Sequence, residues 1–81
     1  MNKMKINIEF YGYFKKYRPS NKKVLSYEPA EPITIEELCN KINTEILKKS
    51  PGFLINGLMA TRDSILKDGD KLSIITHLDG G

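Results

Sequence analysis

The chain has little of what catalysis and covalent bracing usually require. Among its 81 residues there is one cysteine, Cys39, one histidine, His77, and no tryptophan. A lone cysteine excludes an intrachain disulfide and suits a reducing compartment. One His and one Cys cannot furnish an ordinary zinc site. His77 has no Ser, Cys or acid placed around it as a nucleophilic triad would need. No glycine-rich phosphate loop occurs, and no apolar run approaches the length of a membrane span. Near the N-terminus, Ile6, Ile8 and Phe10 alternate with Asn7 and Glu9, which breaks the apolar stretch of a signal peptide. The expectation is a soluble, cytoplasmic domain with no catalytic constellation of its own.

What is present suffices for one small domain. Forty per cent of the residues are hydrophobic, enough for a single core with the modest stability margin usual at this length. Net charge is +3, unevenly spread. Residues 1–24 hold seven basic side chains (Lys3, Lys5, Lys15, Lys16, Arg18, Lys22, Lys23) and one acid, Glu9, so the rest of the chain is net acidic. That bias fits either a basic patch for an acidic partner or RNA, or a solvated hairpin loop with scattered lysines. With one arginine in the stretch and aromatics of partly structural character, the loop is the preferred reading.

Ile6, Ile8 and Phe10 at period two predict a strand ended by Gly12. Tyr13 to Tyr17 predicts an amphipathic turn or short helix, and Arg18-Pro19-Ser20-Asn21 a loop. Lys23 to Tyr27 predicts a second strand pairing back on the first, broken by Glu28-Pro29-Ala30-Glu31-Pro32. Thr34 and Glu37 form a capping box, with Ile33 and Leu38 at the staple positions. Ile35, Leu38, Cys39, Ile42 and Ile46 make one apolar helical stripe, stopped by Ser50-Pro51-Gly52. Phe53-Leu54-Ile55, the tight turn Asn56-Gly57 and Leu58 to Thr61 predict a second hairpin. Ile65 and Leu66 are expected to plug the core from a connector, and after the turn Lys67-Asp68-Gly69-Asp70 comes a last strand, Lys71 to Thr76. One helix between hairpin and later strands must cross one sheet face, and its crossover lets the first and last strands pair in parallel. The expectation is an α+β fold resembling the β-grasp of ubiquitin, with a mixed sheet of four to five strands.

Cys39, on the helix stripe, reads as a buried small hydrophobe rather than a nucleophile. Capping accounts for Glu36 and Glu37, and turn chemistry for Asp68 and Asp70. In the last strand, alternation sends Leu72 and Ile74 to one face and Ser73 and Ile75 to the other. An apolar Ile75 on a solvated face suggests a contact. Leu58, Met59, Ile75 and Leu78, with His77 nearby, are the candidate docking residues; the alternative puts Met59 and Ile75 in the core. The last strand aims Gly80-Gly81 and an ionised carboxylate outward, so residues 76–81 are expected to protrude as a tail from a domain spanning 1–81. Average glycine usage of roughly 7% makes two closing glycines an about one-in-two-hundred coincidence.

Ile8-Glu9-Phe10-Tyr11-Gly12-Tyr13-Phe14, Ile55-Asn56-Gly57 and Leu66-Lys67-Asp68-Gly69-Asp70-Lys71-Leu72, followed by Gly80-Gly81, together resemble the ubiquitin-like sulfur carriers. These are the small subunit of molybdopterin synthase and the thiazole sulfur carrier of thiamin biosynthesis. The resemblance covers essentially the whole chain. Its specific part is the Asp-Gly-Asp turn a short distance before the diglycine. Length and N-terminal segment are nearer the molybdopterin synthase subunit, although Ile75-Thr76-His77-Leu78-Asp79 lacks the proline many such carriers have. The resemblance implies a non-enzymatic carrier with no bound cofactor. An ATP-dependent adenylyltransferase of the ubiquitin-activating type would convert the Gly81 carboxylate to a transient acyl-adenylate. A persulfide donor would then yield a thiocarboxylate for a client such as the molybdopterin synthase large subunit, with Gly80 threading the active-site channel. Neither a membrane nor a nucleic acid is the expected partner. Alternatives are a ubiquitin-like protein modifier, a carrier for thiamin or tRNA thiolation, and, in another class, a TGS-like RNA-binding module.

Overall fold

The computed structural model describes residues 4–19 and 21–76. Strand β1 (Ile6–Phe10) runs into a 3₁₀ helix (Gly12–Tyr17), and β2 (Val24–Tyr27) returns antiparallel to β1. A two-residue strand β3 (Ile33–Thr34) leads directly into α1 (Ile35–Ile42), followed by a one-turn α2 (Glu45–Lys48). The hairpin β4 (Gly52–Ile55) and β5 (Leu58–Ala60) turns on Asn56-Gly57, both at positive φ. A short β6 (Ile65–Leu66) and the last strand, β7 (Lys71–Ile75), complete the order.

The main sheet is ordered β2-β1-β7-β4-β5. Strand β7 lies in the middle, parallel to β1 and antiparallel to β4. The parallel pair exists because the α1 crossover carries the chain back to the starting edge. The strand faces alternate as the sequence predicts, but the face expected to be solvated is covered at Ser73, which is 7% exposed. Ile6, Ile8, Phe10, Phe53, Leu72 and Ile74 are buried, and α1 covers them with Ile35, Leu38 and Cys39. The five-stranded mixed sheet under a helix is the β-grasp arrangement.

The start of α1 is closed from two sides. Thr34 Oγ1 accepts from the Glu37 N–H at 3.1 Å, and the Glu37 carboxylate accepts from the Thr34 N–H at 3.0 Å. Ile33 and Leu38, the staple pair, are both buried. The first two helical amides, of Ile35 and Glu36, donate to the carbonyls of Ser64 and Arg62 at 3.0 and 2.9 Å. Every helix leaves its first amides without internal acceptors; here a later loop supplies them.

Three local expectations are corrected. The apolar stripe from Ile35 to Ile46 is not one helix: α1 ends where Asn43 turns extended (φ −170°). Its side-chain Oδ1 accepts from the Glu45 N–H at 2.8 Å, the local competition with helix that makes Asn a poor interior residue. Ile46 still reaches the core, from α2. The connector at 65–66 is a strand, antiparallel to β3, with Thr34 opposite Ile65 and Ile33 opposite Leu66. Alternation therefore buries Leu66 and leaves Ile65 60% exposed, so only one of the two plugs the core.

Candidate functional site

Strand β7 carries the chain toward its C-terminal residues, and it is fixed at both ends. At its start, Asp70 is only 5% exposed. One carboxylate oxygen accepts from Asn56 Nδ2 at 2.9 Å and the other from the Lys67 N–H at 2.9 Å. Asn56 in turn accepts from the Lys71 N–H through Oδ1 at 2.9 Å and donates its own N–H to the Lys71 carbonyl at 2.8 Å. Asp68 accepts from the Lys5 N–H at 2.8 Å, and the Gly69 N–H donates to the Lys5 carbonyl at 2.9 Å. Asn56-Gly57 and Asp68-Gly69-Asp70, far apart in sequence, thus form one hydrogen-bonded knot at the head of β7. Turn chemistry does account for both aspartates. Among the described residues, every buried side-chain polar atom has a partner.

At the other end the fastening is Gly12. Its φ of +56° lies in the left-handed region that glycine enters without steric cost. That conformation swings the chain out of β1 and into the 3₁₀ helix. The place a Cβ would take is held by the Thr76 hydroxyl oxygen. The same hydroxyl accepts from the Tyr13 N–H at 3.2 Å, and the Tyr11 N–H donates to the Ile74 carbonyl at 2.9 Å. Thr76 is the last described residue, and the clasp Tyr11-Gly12-Tyr13 holds the chain there. Sequence reasoning saw in Gly12 only the end of a strand. Its positive φ could be suspected from the glycine, but its closeness to Thr76 depends on the parallel register, which no local pattern encodes.

The candidate docking residues do not form one patch. Met59 stands opposite Leu54, and Leu54 opposite Ser73; with Ile75 they share the face away from α1. Met59 is 90% exposed, which removes it from the core. Gly52 is directly opposite Ile75, and Ile75 is half-buried. Leu58 pairs with Ile55, which pairs with Leu72. It therefore lies on the α1 side, at the sheet edge, 73% exposed. His77, Leu78, Gly80 and Gly81 lie outside the described residues.

The middle of the open face is polar. Glu9 lies between Val24 and Ser73 in register. The Tyr11 hydroxyl donates to its carboxylate, and Lys71 Nζ sits 3.2 Å away. The tyrosine bond foremost, and the ammonium with it, hold the Glu9 carboxyl below its ordinary range, while the same carboxylate pushes the Tyr11 hydroxyl up. On the other side of the sheet, Cys39 is buried and free. Burial pushes its thiol up to about 12, so it packs as a small hydrophobe and not as a nucleophile.

The five-stranded mixed sheet crossed by α1 is the scaffold that defines the class of ubiquitin-like proteins. Solved structures agree on the fold. Urm1 from Trypanosoma brucei superposes with a TM-score of 0.71 at 20% identity, over 100% of this chain and 99% of that one. A Pyrococcus furiosus protein described as molybdopterin converting factor subunit 1 gives 0.72 at 18%, over 93% and 99%. The complex of molybdopterin-converting factor subunits 1 and 2 from Helicobacter pylori gives 0.55 at 18%, over 96% and 100%. No curated protein sequence matches the chain. The model of the ThiS family matches residues 11–81; the chain belongs to that family, the ubiquitin-like sulfur carriers. Among the described residues, no helix is long and apolar enough to cross a membrane.

Proposed function

We propose that the working group of this carrier is the Gly81 α-carboxylate, in the service of molybdopterin biosynthesis. A ubiquitin-activating-type adenylyltransferase joins the carboxylate oxygen to the α-phosphorus of ATP and releases pyrophosphate. The terminal sulfur of a persulfide then displaces AMP from the acyl carbon. Cleavage of the resulting acyl disulfide by a second thiol leaves the thiocarboxylate, whose sulfur is a better nucleophile than the oxygen it replaced. Gly80 and Gly81 have no side chains to obstruct a narrow channel. The carrier supplies the acyl group and its partners supply the catalytic groups, so the cycle needs no resident cofactor.

The observation that carries this reading is a family match that runs through the diglycine to Gly81. The clasp at Thr76 supports it, because it secures the chain just before the residues that would carry the working group. The molybdopterin client is favoured by the Helicobacter pylori structure, in which subunit 1 of the converting factor is in complex with subunit 2. Met59 and Ile75 on the open face are the proposed contacts for such a partner.

Intact-mass analysis after incubation with an adenylyltransferase, ATP and a persulfide donor tests the cycle. Replacement of one carboxylate oxygen by sulfur, lost on deletion of Gly81, is the expected result. Covalent attachment to protein lysines without sulfur incorporation would instead identify a modifier, and an unchanged mass would remove the carrier chemistry altogether.

A further inference from the structure

The basic N-terminal third is not used by the carrier cycle, and three of its cations converge. A cavity of about 380 Å³ is lined by Glu9, Phe10, Tyr11, Lys15, Arg18 and Lys23. This is within the roughly 300–1,000 Å³ of small-molecule sites. Lys15 and Arg18 come from the end of the 3₁₀ helix, where residues three apart stand one above the other. The Arg18 N–H and Nε both donate to the Lys15 carbonyl, at 3.1 and 3.3 Å, which fixes the guanidinium and leaves its terminal nitrogens as donors. Lys23 enters from the other wall, just before β2. Among the described residues, neither Lys15 nor Lys23 has an ion pair.

The one acid of the lining, Glu9, attracts Lys23, but its hydrogen bonds go elsewhere. Glu9 is committed to Lys71 and the Tyr11 hydroxyl. Lys16, next along the chain, is taken up differently: its ammonium sits 4.5 Å over the Tyr13 ring. Three cations against one carboxylate leave the lining with a positive excess that a bound anion relieves. A chain of phosphoryl groups carries several charges on one ligand, and its oxygens suit the guanidinium fork. A nucleic-acid strand needs an extended cationic track with stacking platforms, whereas this cavity is small and self-contained.

We propose that the cavity bounded by Lys15, Arg18 and Lys23 binds an oligophosphate, either inorganic pyrophosphate or the phosphate chain of a nucleotide. The site does not depend on the tail and stands whether or not Gly81 is thiolated. Titration calorimetry of the full chain with inorganic pyrophosphate, ATP and AMP tests it, with amide chemical shifts to locate the site. Saturable pyrophosphate binding below about 1 mM is expected, weakened by added salt, with shifts at Tyr11, Lys15, Arg18 and Lys23. Equal affinity for ATP assigns recognition to the phosphates; at least tenfold tighter ATP binding adds the nucleoside to the site. The exposed-residue variants K15E and K23E should each weaken binding at least tenfold, while K48E, away from the cavity, should leave it unchanged. Absence of saturation by pyrophosphate and ATP, equal loss in K48E, or affinity that appears only with RNA and grows with its length would overturn the proposal.

Discussion

Substituting Gly12 by Ala tests the clasp at the root of the tail, because two costs coincide there. The first is the backbone: a non-glycine residue in the left-handed region costs about 1–2 kcal/mol, and φ at Gly12 is +56°. The second is the neighbour: the new methyl meets the Thr76 hydroxyl oxygen, which must move and so release the Tyr13 N–H it accepts at 3.2 Å. A lost hydrogen bond of this kind costs about 0.5–1.5 kcal/mol. With the displacement of Thr76, the sum is about 2–4 kcal/mol. In a domain of this length that is roughly 8–30 °C in Tm. The next atom a methyl would meet is Thr76 Cβ, at 3.5 Å, which is ordinary contact.

Truncating Thr76 to Ala therefore removes the clash and leaves only the backbone term. Gly12→Ala should cost about 1–2 kcal/mol in the Thr76→Ala background, and the double-mutant cycle should return a coupling of at least about 1 kcal/mol. Thr76→Ser keeps the hydroxyl and should give no such relief. Urea melts at constant m-value supply all the stabilities. Additivity of the two substitutions within about 0.5 kcal/mol would show that Gly12 and Thr76 do not touch, and the clasp would be refuted.

Other expectations follow from the same contacts. Asp70→Ala leaves Asn56 Nδ2 and the Lys67 N–H without their acceptor and should cost about 1–3 kcal/mol in a denaturant melt; Asp68→Ala, which frees only the exposed Lys5 N–H, should cost less. Cys39, with its thiol pushed up to about 12, should react with iodoacetamide at pH 8 at least about a thousandfold slower than an ordinary thiol, and unfolding should abolish the difference. Because the folded state holds that proton more tightly, its contribution to stability is whole below about pH 8.5 and declines as pH rises toward 12, by at most about 1.4 kcal/mol per pH unit. Cys39→Ala should flatten that part of the alkaline stability profile, and an unchanged slope would contradict the burial. Replacing Gly80 by Val should block adenylation with no change in Tm; an adenylation rate equal to wild type would remove the threading argument.

Much of the architecture was legible because local rules and tertiary outcome agree. Ile6, Ile8 and Phe10 alternate in sequence and all point into the core. Thr34 and Glu37 announce a capping box and form one. Where the reading failed, a non-local partner or a competing side chain decided. Asn43 interrupts the helix by bonding to the Glu45 amide. Ile65 faces solvent because Thr34–Ile65 is a strand pair between short segments no periodicity reveals. Leu58 and Met59 do not form one surface: neighbouring residues of a strand point to opposite faces, and the register with Ile55 and Leu54 assigns them to different ones.

The motif segments themselves teach something about what a family signature records. Asn56-Gly57, Asp68-Gly69-Asp70 and Tyr11-Gly12-Tyr13 perform no chemistry. The first two knot the head of β7, through Asn56, Asp70 and Lys5, and the third grips Thr76 at its foot. Between them β7 has hydrogen-bonded neighbours on both sides, β1 and β4. An edge strand pulled by an enzyme gripping its end can peel away one bond at a time. A central strand held at both ends can yield only by disrupting two ladders together, with buried Leu72 and Ile74 leaving the core. Under the proposed cycle, in which partners draw on the terminal residues, the strand that bears that load is the one these unusual residues secure. The resemblance is therefore carried by the residues that secure β7, and substitutions at these positions should act on the proposed activation through the position of Thr76, not through any group that meets ATP or sulfur.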